Sequence, residues 1–570
     1  MATTITTIKS KARIIPSAVQ QTAINGIVRE IESKLEVLWD GITWSDESSY
    51  ILSAKGDFKM EGDLGEGMSG QADFQLENTT KRFLPENALS PIQTYLKPRK
   101  QVRYSIIVAG TTFLLFTGYI KAIEPRRNEG TVNFHCFDNS EVVLNKETPQ
   151  EQAYLDTYAH ELITILGEAA GMDADTDIDV EQSRHLIRGA YFGDRNIWPV
   201  MGELAVAERG RVFFDINGRL KFWSRDHIQN QSAVLNLSRD NDLLELNFNI
   251  EEQHIKNYVT VKARPRAGAG IQPVWTNGSA DILNPYTSTL VWIPAHGTQY
   301  AYLEIEDAYG PLPCTTWIQP VAETDYTANT LSDGTGTDMT GAIRINTFTP
   351  YADSVYLEVQ NLSSVDIYLT KFQVRANPLK IWKWIQVRHK DETSIADYGN
   401  QQINIENDFI DDEQMANDIA ETEVARWKDA KNMFNAKIIG IPYLQVGDVV
   451  NVEVTDSNYE EYMIYGMTWD INSQGFTQSL EFVNKVRFPT TQTVSARANI
   501  FNTQTQTVEA KARIGTVFQT VQSLARITEF TTIPKTMTAK ARILGKKTVT
   551  AQARVKTAYN KTITSKANIQ

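Results

Sequence analysis

The tightest constraint on this chain is a two-residue period of apolar positions, clearest late in the sequence. Through Ala436-Lys437-Ile438-Ile439-Gly440-Ile441-Pro442-Tyr443-Leu444-Gln445-Val446-Gly447-Asp448-Val449-Val450-Asn451-Val452-Glu453-Val454, first Ile439 and Ile441, then Val450, Val452 and Val454, stand at alternate places. Side chains leave a strand on opposite sides in turn, so this is the period of strands with one buried face. Pro442 and Gly447-Asp448 break it, giving strand, loop, strand. Two more strand-like runs, 462–469 and 475–483, follow around an Asn472-Ser473-Gln474-Gly475 turn. Four short strands leave edges that must be covered. The candidates to cover them lie far upstream, between 42 and 144, so the chain is expected to start a β scaffold, leave it for inserted modules, and return to close it.

That upstream region repeats the alternation. Phe74 and Leu76 flank Gln75, and Asn78-Thr79-Thr80 ends the run; Val132, Phe134 and Cys136 continue at alternate places. Residues 102–106 and 111–120 form a hairpin pattern about Ala109-Gly110. Polar residues on the other face point to an antiparallel barrel wet on one side. Before it, Ile24, Ile27, Val28, Ile31 and Leu35 fall at helical spacing, with Gly26 against a helix.

At 570 residues several cores are needed. Residues 151–171 read as a helix whose stripe is Leu155, Tyr158, Leu162, Ile165, Leu166 and Ala169, ended by Gly171. A second helix spans 198–209. Asn217-Gly218, between Arg211-Val212-Phe213-Phe214 and Leu220-Lys221-Phe222-Trp223, is a strong hairpin signal. After a Pro/Gly/Ala linker at 265–270, short strands are expected at 289–293, 300–306, 342–345, 355–359 and 367–374. They read as a β-sandwich inserted into the scaffold. A third helix, 411–430, turns Ala416, Ile419, Ala420, Val424 and Trp427 inward, with acids crowding its first turn.

The final stretch is a repeat built on Ala-Arg/Asn-Ile/Val: Ala498-Asn499-Ile500, Ala512-Arg513-Ile514, Ala525-Arg526-Ile527, Ala541-Arg542-Ile543, Ala553-Arg554-Val555 and Ala567-Asn568-Ile569. Within one unit Val508, Ala510, Ala512 and Ile514 alternate with Thr507, Glu509, Lys511 and Arg513, so each unit is one two-faced strand. Single strands cannot bury a face alone, so the units pack on each other or on a partner. A further copy, Thr7-Ile8-Lys9-Ser10-Lys11-Ala12-Arg13-Ile14, opens the chain. Arg13, Ile14, Arg513, Ile514, Arg526, Ile527, Arg542 and Ile543 are the candidate assembly residues of these repeats. From 488 to 570 thirteen Lys and Arg oppose Glu509 and Glu529, a net charge of +11. With −13 for the whole chain, residues 1–487 carry −24. An acidic body argues against a nucleic-acid binder and leaves the tail free to meet acidic polymers or its own body.

Little in the sequence points to catalysis. His160-Glu161-Leu162-Ile163-Thr164 starts like a zinc-protease helix but has Thr164 where the second histidine belongs, and reads as a surface His-Glu pair. No Gly-x-Ser-x-Gly elbow, phosphate loop or dinucleotide fingerprint occurs, and no cofactor is expected. Asp333-Gly334-Thr335-Gly336-Thr337-Asp338 offers oxygens to calcium but lacks the spacing of a calcium hand, and reads as a solvated loop tip. Trp275, Trp292, Trp317 and Tyr351 are candidates to stack on a sugar ring, against the alternative of core aromatics. Cys136 and Cys314 are too few for a disulfide framework and are expected as buried free thiols. No run is long and apolar enough for a membrane span, and Met1-Ala2-Thr3-Thr4 lacks the layout of a signal peptide.

The order of the parts resembles the tail-tip or baseplate hub proteins of long-tailed bacteriophages, including the hub domains of tail-associated lysins. The residues that carry the likeness are Phe74-Gln75-Leu76-Glu77-Asn78 with Arg82-Phe83-Leu84-Pro85, Leu115-Phe116-Thr117-Gly118-Tyr119-Ile120 and Phe137-Asp138. Glu161-Leu162-Ile163 through Gly171, Phe213-Phe214-Asp215 through Trp223-Ser224-Arg225, and Pro442 through Asp448 extend it across residues 40–485 outside the sandwich. The resemblance implies a homotrimeric ring of β-barrels beneath the tail tube, turning sixfold into threefold symmetry and gating the channel. Its partners would be the distal tail protein, the tape-measure protein and tail fibre or tip proteins, with the virion tail tip as location and the host cytoplasm as place of assembly. No lysin module follows the hub portion, so no enzymatic activity is carried over. The expectation is a mainly β, multi-domain chain with some α: an arm at 1–40, a first hub barrel at 41–150, an α+β hub domain at 151–268, the sandwich at 269–377, a helix with the closing barrel at 378–487, and β repeats at 488–570. The rival reading is an adhesin that grips host surface glycans through the sandwich or the basic repeats.

Overall fold

The computed structural model describes residues 30–484, apart from 62–66, 150–151, 184, 249–254, 278–291, 308–309, 430–432 and 456–457, together with the backbone of six strands between 494 and 569. The chain divides into two compact units, Met1–Lys485 and Val486–Gln570. It is mainly β with a few helices.

In the first unit the early and late alternating regions are one sheet. Strand Ile51–Glu61 pairs antiparallel with Gly67–Glu77 on one side (Ala54 opposite Phe74) and with Asn458–Asn472 on the other (Ala54 opposite Ile471). Outward from Gly67–Glu77 come Thr131–Phe137, Thr111–Arg126, Gln101–Val108 and Ile31–Leu38. Outward from Asn458–Asn472 come Gly475–Asn484, Met433–Ile439 and Leu243–Phe248. The fifteen residues of Asn458–Asn472 serve two neighbours in succession, Val449–Thr455 over 458–463 and Ile51–Glu61 over 466–471. Among the described strands the pairing path stays open, where the sequence suggested closed barrels. Register shifts at Tyr104/Ser105, Ile120/Ala122 and Ile464/Gly466 mark irregularities where such long strands bend, so one curved sheet can enclose the core.

That core is shared by the two halves. Phe74, Tyr104, Phe116 and Phe134 from the early strands are fully buried with Phe434, Trp469 and Phe482 from the late ones. Tyr104 stacks on Trp469 with centroids 5.5 Å apart and planes 13° from parallel. Gly56 makes room for this indole: a Cβ there would lie 2.2 Å from Trp469 Cε2.

A second core joins three helices, Ala159–Ala169, Ile197–Glu208 and Glu413–Trp427, to a sheet of Ile385–Lys390, Tyr258–Ala263 and Gln402–Glu406. The expected helix at 151–171 starts late. Tyr154–Tyr158 is instead a strand paired with Leu186–Ala190, and the chain enters the helix at extended Tyr158, the N-cap. Its end is as read: Gly171 at φ +92° follows, donating to Glu168 O. The helical spacing of Ile31 and Leu35 was also misleading. Both lie on strand Ile31–Leu38, which pairs with Gln101–Val108 over its full length; Ile24, Ile27 and Val28 fall outside the described residues. The Asn217-Gly218 turn forms, with Arg211–Phe214 against Leu220–Trp223 and Gly218 at φ +77°.

The third core is the sandwich. Ile367–Ile381 is its spine, paired along its length with Gln272–Thr276, Cys314–Ile318, Tyr326–Asn329 and Trp292–Ile293. Across the core stands a sheet of Thr298–Glu304, Ser354–Asn361 and Ile343–Pro350.

In the second unit the repeats form two parallel ladders. Val494–Phe501, Val521–Glu529 and Val549–Val555 make one, and Thr507–Ile514, Thr536–Ile543 and Ile563–Ile569 the other. Each repeat pairs with the next but one: Ala498 opposite Ala525, then Ala525 opposite Ala553; Arg513 opposite Arg542; Ile514 opposite Ile543, then Ile569. Consecutive units alternate between sheets, so the strands stack on each other in a two-sided coil.

Candidate functional site

Three of the segments that carry the hub resemblance, those at 115–120, 213–225 and 442–448, meet at one joint. The loop Pro442-Tyr443-Leu444-Gln445-Val446-Gly447-Asp448 lies between the late strands and the 211–223 hairpin. Phe58, Leu115, Phe213, Phe214, Leu444 and Trp469 are among the residues around a small cavity of about 30 Å³ there.

The loop is held by its own turn and by both neighbours. Gly447 N donates to Ile464 O (2.7 Å) and Ile464 N to Asp448 O (2.9 Å), while Gln445 N donates to buried Asp448 Oδ2 (2.8 Å). Buried Gln478 reaches across from the last strand of the sheet, its Oε1 accepting from Ile441 N at 2.7 Å. Gly447 sits at φ +90°, and a Cβ on it would stand 2.4 Å from Trp223 Cζ3. Trp223 is itself wedged: Phe213 meets its ring edge-on at 4.7 Å and His227 stacks on it at 4.5 Å. His227 Nδ1 is 2.7 Å from Glu181 Oε1. Burial would push the Glu181 carboxyl up, but the His227 contact and the Ser224 donors together hold it below the usual value.

The other resemblance segments brace the early strands in the same way. Asp138 Oδ2 accepts from Gly70 N (2.6 Å), and Asn139 Nδ2 donates to Gly218 O (2.6 Å), tying the hairpin turn to the early sheet. Arg82 donates through two nitrogens to fully buried Glu47 (2.9 and 2.7 Å), which also takes the Trp39 indole N–H (2.9 Å). Phe83 packs edge-on to Tyr50 and Phe134. These contacts fix the edges and faces of the early strands.

Three surface features stand out among the described residues. Strand Leu243–Phe248 ends the sheet path, bonded among the described strands only to Met433–Ile439, and carries Leu244 half-exposed. A polar hollow of about 270 Å³ is lined by residues that include Asp57, Lys59, Glu245, Lys437, Thr468 and Glu481, with Lys59 paired to Glu481 at 2.9 Å. The third is the outer face of the three-stranded sandwich sheet, where Tyr300 and Tyr302 are 57% and 47% exposed.

The structure does not gather the four aromatics proposed from sequence. Trp275 is buried in the sandwich core against Phe372, and Trp317 packs half-buried on the same core. Trp292 is exposed but lies opposite Tyr368, at the far end of the spine strand from Trp275, with its N–H donated to Asp366 (3.3 Å). Tyr351 lies beside the half-exposed Tyr302, with ring centroids 6.2 Å apart. Tyr300, Tyr302 and Tyr356, not singled out in the sequence, stand together on the outer face, although the alternation Tyr300-Ala301-Tyr302-Leu303 was readable as two outward tyrosines. Of the repeat residues, Arg13 and Ile14 fall outside the described residues. Arg513, Ile514, Arg526, Ile527, Arg542 and Ile543 stand in register on the ladders.

His160 is not on the surface. It is buried beneath Tyr158, with Nδ1 accepting from Ser183 N (3.2 Å) and 3.0 Å from Ser183 Oγ, and burial pulls its pKa down. Asp333 and Asp338 each cap their own turn, accepting from Thr335 and Thr340. Among the described residues no group of three or more His, Cys, Asp or Glu is placed to hold a metal ion. Cys136 and Cys314 are buried free thiols, and burial raises both pKa values. No described helix is long and apolar enough to cross a membrane.

In fold class the first unit is a mainly β body in which early and late strands share one sheet and a β-sandwich is inserted between them, and the second unit is a ladder of β repeats. No family model and no characterised protein matches the sequence. Among solved structures the chain is similar to the 43 kDa tail protein of prophage MuSo2 from Shewanella oneidensis (TM-score 0.44, 12% identity, covering 80% of this chain and 99% of that one). It is similar also to a tail protein from Neisseria meningitidis (0.42, 8%, 80% and 96%) and to prophage tail protein gp18 from Listeria monocytogenes (0.38, 8%, 79% and 94%).

Proposed function

We propose that the chain is a non-enzymatic structural subunit of a bacteriophage tail tip or baseplate hub. Three copies form a ring that closes the tail tube, adapts sixfold to threefold symmetry, and docks the distal tail, tape-measure and fibre or tip proteins. The ring is built in the host cytoplasm and ends in the virion. The observation that carries this reading is the pairing of Ile51–Glu61 with Asn458–Asn472. It joins the early and late strand regions that resemble hub proteins into one sheet, with the sandwich inserted between them in sequence. Strand Leu243–Phe248, paired among the described strands only with Met433–Ile439, supports association, since an open edge is a template for another chain.

Native mass spectrometry of the full chain tests the reading, together with electron microscopy of particles bearing it. A mass of three chains and threefold density at the tail tip are expected. A stable monomer that never joins tail proteins would overturn it.

A further inference from the structure

The outer face of the three-stranded sandwich sheet presents tyrosines and polar side chains in rows. Alternation sends Ala301, Leu303, Val355, Leu357 and Val359 into the core and turns the intervening residues outward. The register then sets them in rows. Tyr302 lies opposite Tyr356, which lies opposite Thr349; one pleat along, Tyr300 lies opposite Glu358, which lies opposite Thr347; beyond them stands Gln360. Tyr351 flanks Tyr302 at the open end of the first row, its ring centre 6.2 Å away. Rings two residues apart on a strand stand roughly 7 Å apart, and three strands span roughly 10 Å, so the platform matches more than one pyranose ring.

The polar groups among the rings are fixed in place. Thr347 Oγ1 donates to Glu358 Oε2 (2.8 Å), Asn346 Nδ2 to Gln360 Oε1 (3.2 Å), and the Tyr302 hydroxyl lies 2.9 Å from Ser354 Oγ. A pyranose ring has an apolar C–H face and an equatorial rim of hydroxyls. Flat aromatic faces with a carboxylate and amides beside them complement both parts.

Charge selects among possible occupants. Residues 271–376 contain eleven Asp and Glu against three Lys and Arg, a net of −8. An anionic polymer such as a teichoic acid or a nucleic acid is repelled by that field. A second copy packed face to face would bury Glu358, and protein interface cores are depleted of such charges. We propose that this face binds a neutral glycan, with Tyr300 and Tyr302 as the stacking platform and Glu358 and Gln360 as acceptors and orienters of hydroxyls. The proposal goes beyond the assembly role and does not rest on it.

The full chain, applied to an array of neutral oligosaccharides that includes chitohexaose and cellohexaose, with hyaluronan and lipoteichoic acid as anionic comparisons, tests it. Retention on at least one neutral glycan and on neither anionic one is expected. Tyr300→Ala with Tyr302→Ala should weaken that retention at least about tenfold, whereas Tyr300→Phe keeps it within about threefold, because stacking survives loss of the hydroxyl. Trp292→Ala, away from the face, should leave it unchanged. Circular dichroism of the double variant should match the parent, since both rings project into solvent. No retention on any neutral glycan, retention indifferent to the double variant, or a double variant that changes only the oligomeric mass would each overturn the assignment.

Discussion

Single residues at the joint show which parts of the architecture were written locally. Pro442, Gly447 and Asp448 were legible as a loop between strands, because only a turn requires that chemistry. Nothing in the local sequence could say that Gly447 faces Trp223, more than two hundred positions away. Its substitution makes the first test: Gly447→Ala meets both a left-handed backbone and a Cβ 2.4 Å from the indole. It should cost about 2–4 kcal/mol in urea unfolding, and an unchanged midpoint would mean the loop does not hold the hairpin. In the sandwich, Asp325 accepts from Arg375 Nε (2.6 Å) and the second guanidinium nitrogen (2.8 Å), from Gln373 (2.9 Å) and from Val321 N (2.9 Å). Burial alone would raise its pKa, but these donors win and hold it below the ordinary value. A depressed carboxylate contributes stability that is full above its unfolded pKa, near 4, and is lost as pH falls through the lower folded value. Asp325→Asn should therefore cost about 2 kcal/mol at pH 7, and the gap to the parent should close below pH 4. A gap independent of pH would show that shape, not charge, is what Asp325 supplies.

At the scale of elements, periodicity was a good guide wherever one neighbour decided the matter. The helix Glu413–Trp427 has its inward residues Ala416, Ile419, Ala420, Val424 and Trp427 all buried, as their spacing demanded. Its N-cap Asp412 accepts from Met415 N at 2.7 Å, so Asp412→Ala should lower stability by about 1 kcal/mol, read as a drop in melting temperature. The two misread elements are ones where tertiary pairing overrode local spacing. Ile31 and Leu35 fit a helix, yet Leu35, Val37 and Trp39 also fit alternation, and the long partner Gln101–Val108 settles the competition. Residues 154–158 continue a helical stripe on paper but pair with Leu186–Ala190, with Asp156 at φ +47° on the way. The tryptophans misled for a related reason. An aromatic on a two-faced strand is placed by which face it takes, and Trp275 and Tyr300 differ only in that.

The whole molecule answers a question the sequence left open, how the repeats are arranged. Single strands at intervals of 12 to 16 residues could have formed hairpins, but hairpins would pair each unit with the next. The ladders pair each with the next but one, in parallel, which brings like residues into register: Ala512 opposite Ala541, then Ala567. Each ladder therefore draws its hydrogen bonds from within residues 494–569, and the first unit keeps its three cores without it. Removing Val486–Gln570 should then leave the melting of the remainder and its three-chain mass unchanged, while particles carrying the truncated chain assemble defective tips. Leu244→Lys, on strand Leu243–Phe248, which pairs among the described strands only with Met433–Ile439, should do the reverse: the monomer melts as before, because this residue is exposed, but the proposed three-chain mass gives way to one. If the truncation dissolves the ring and Leu244→Lys does not, assembly belongs to the repeats, and the curved sheet is only their carrier.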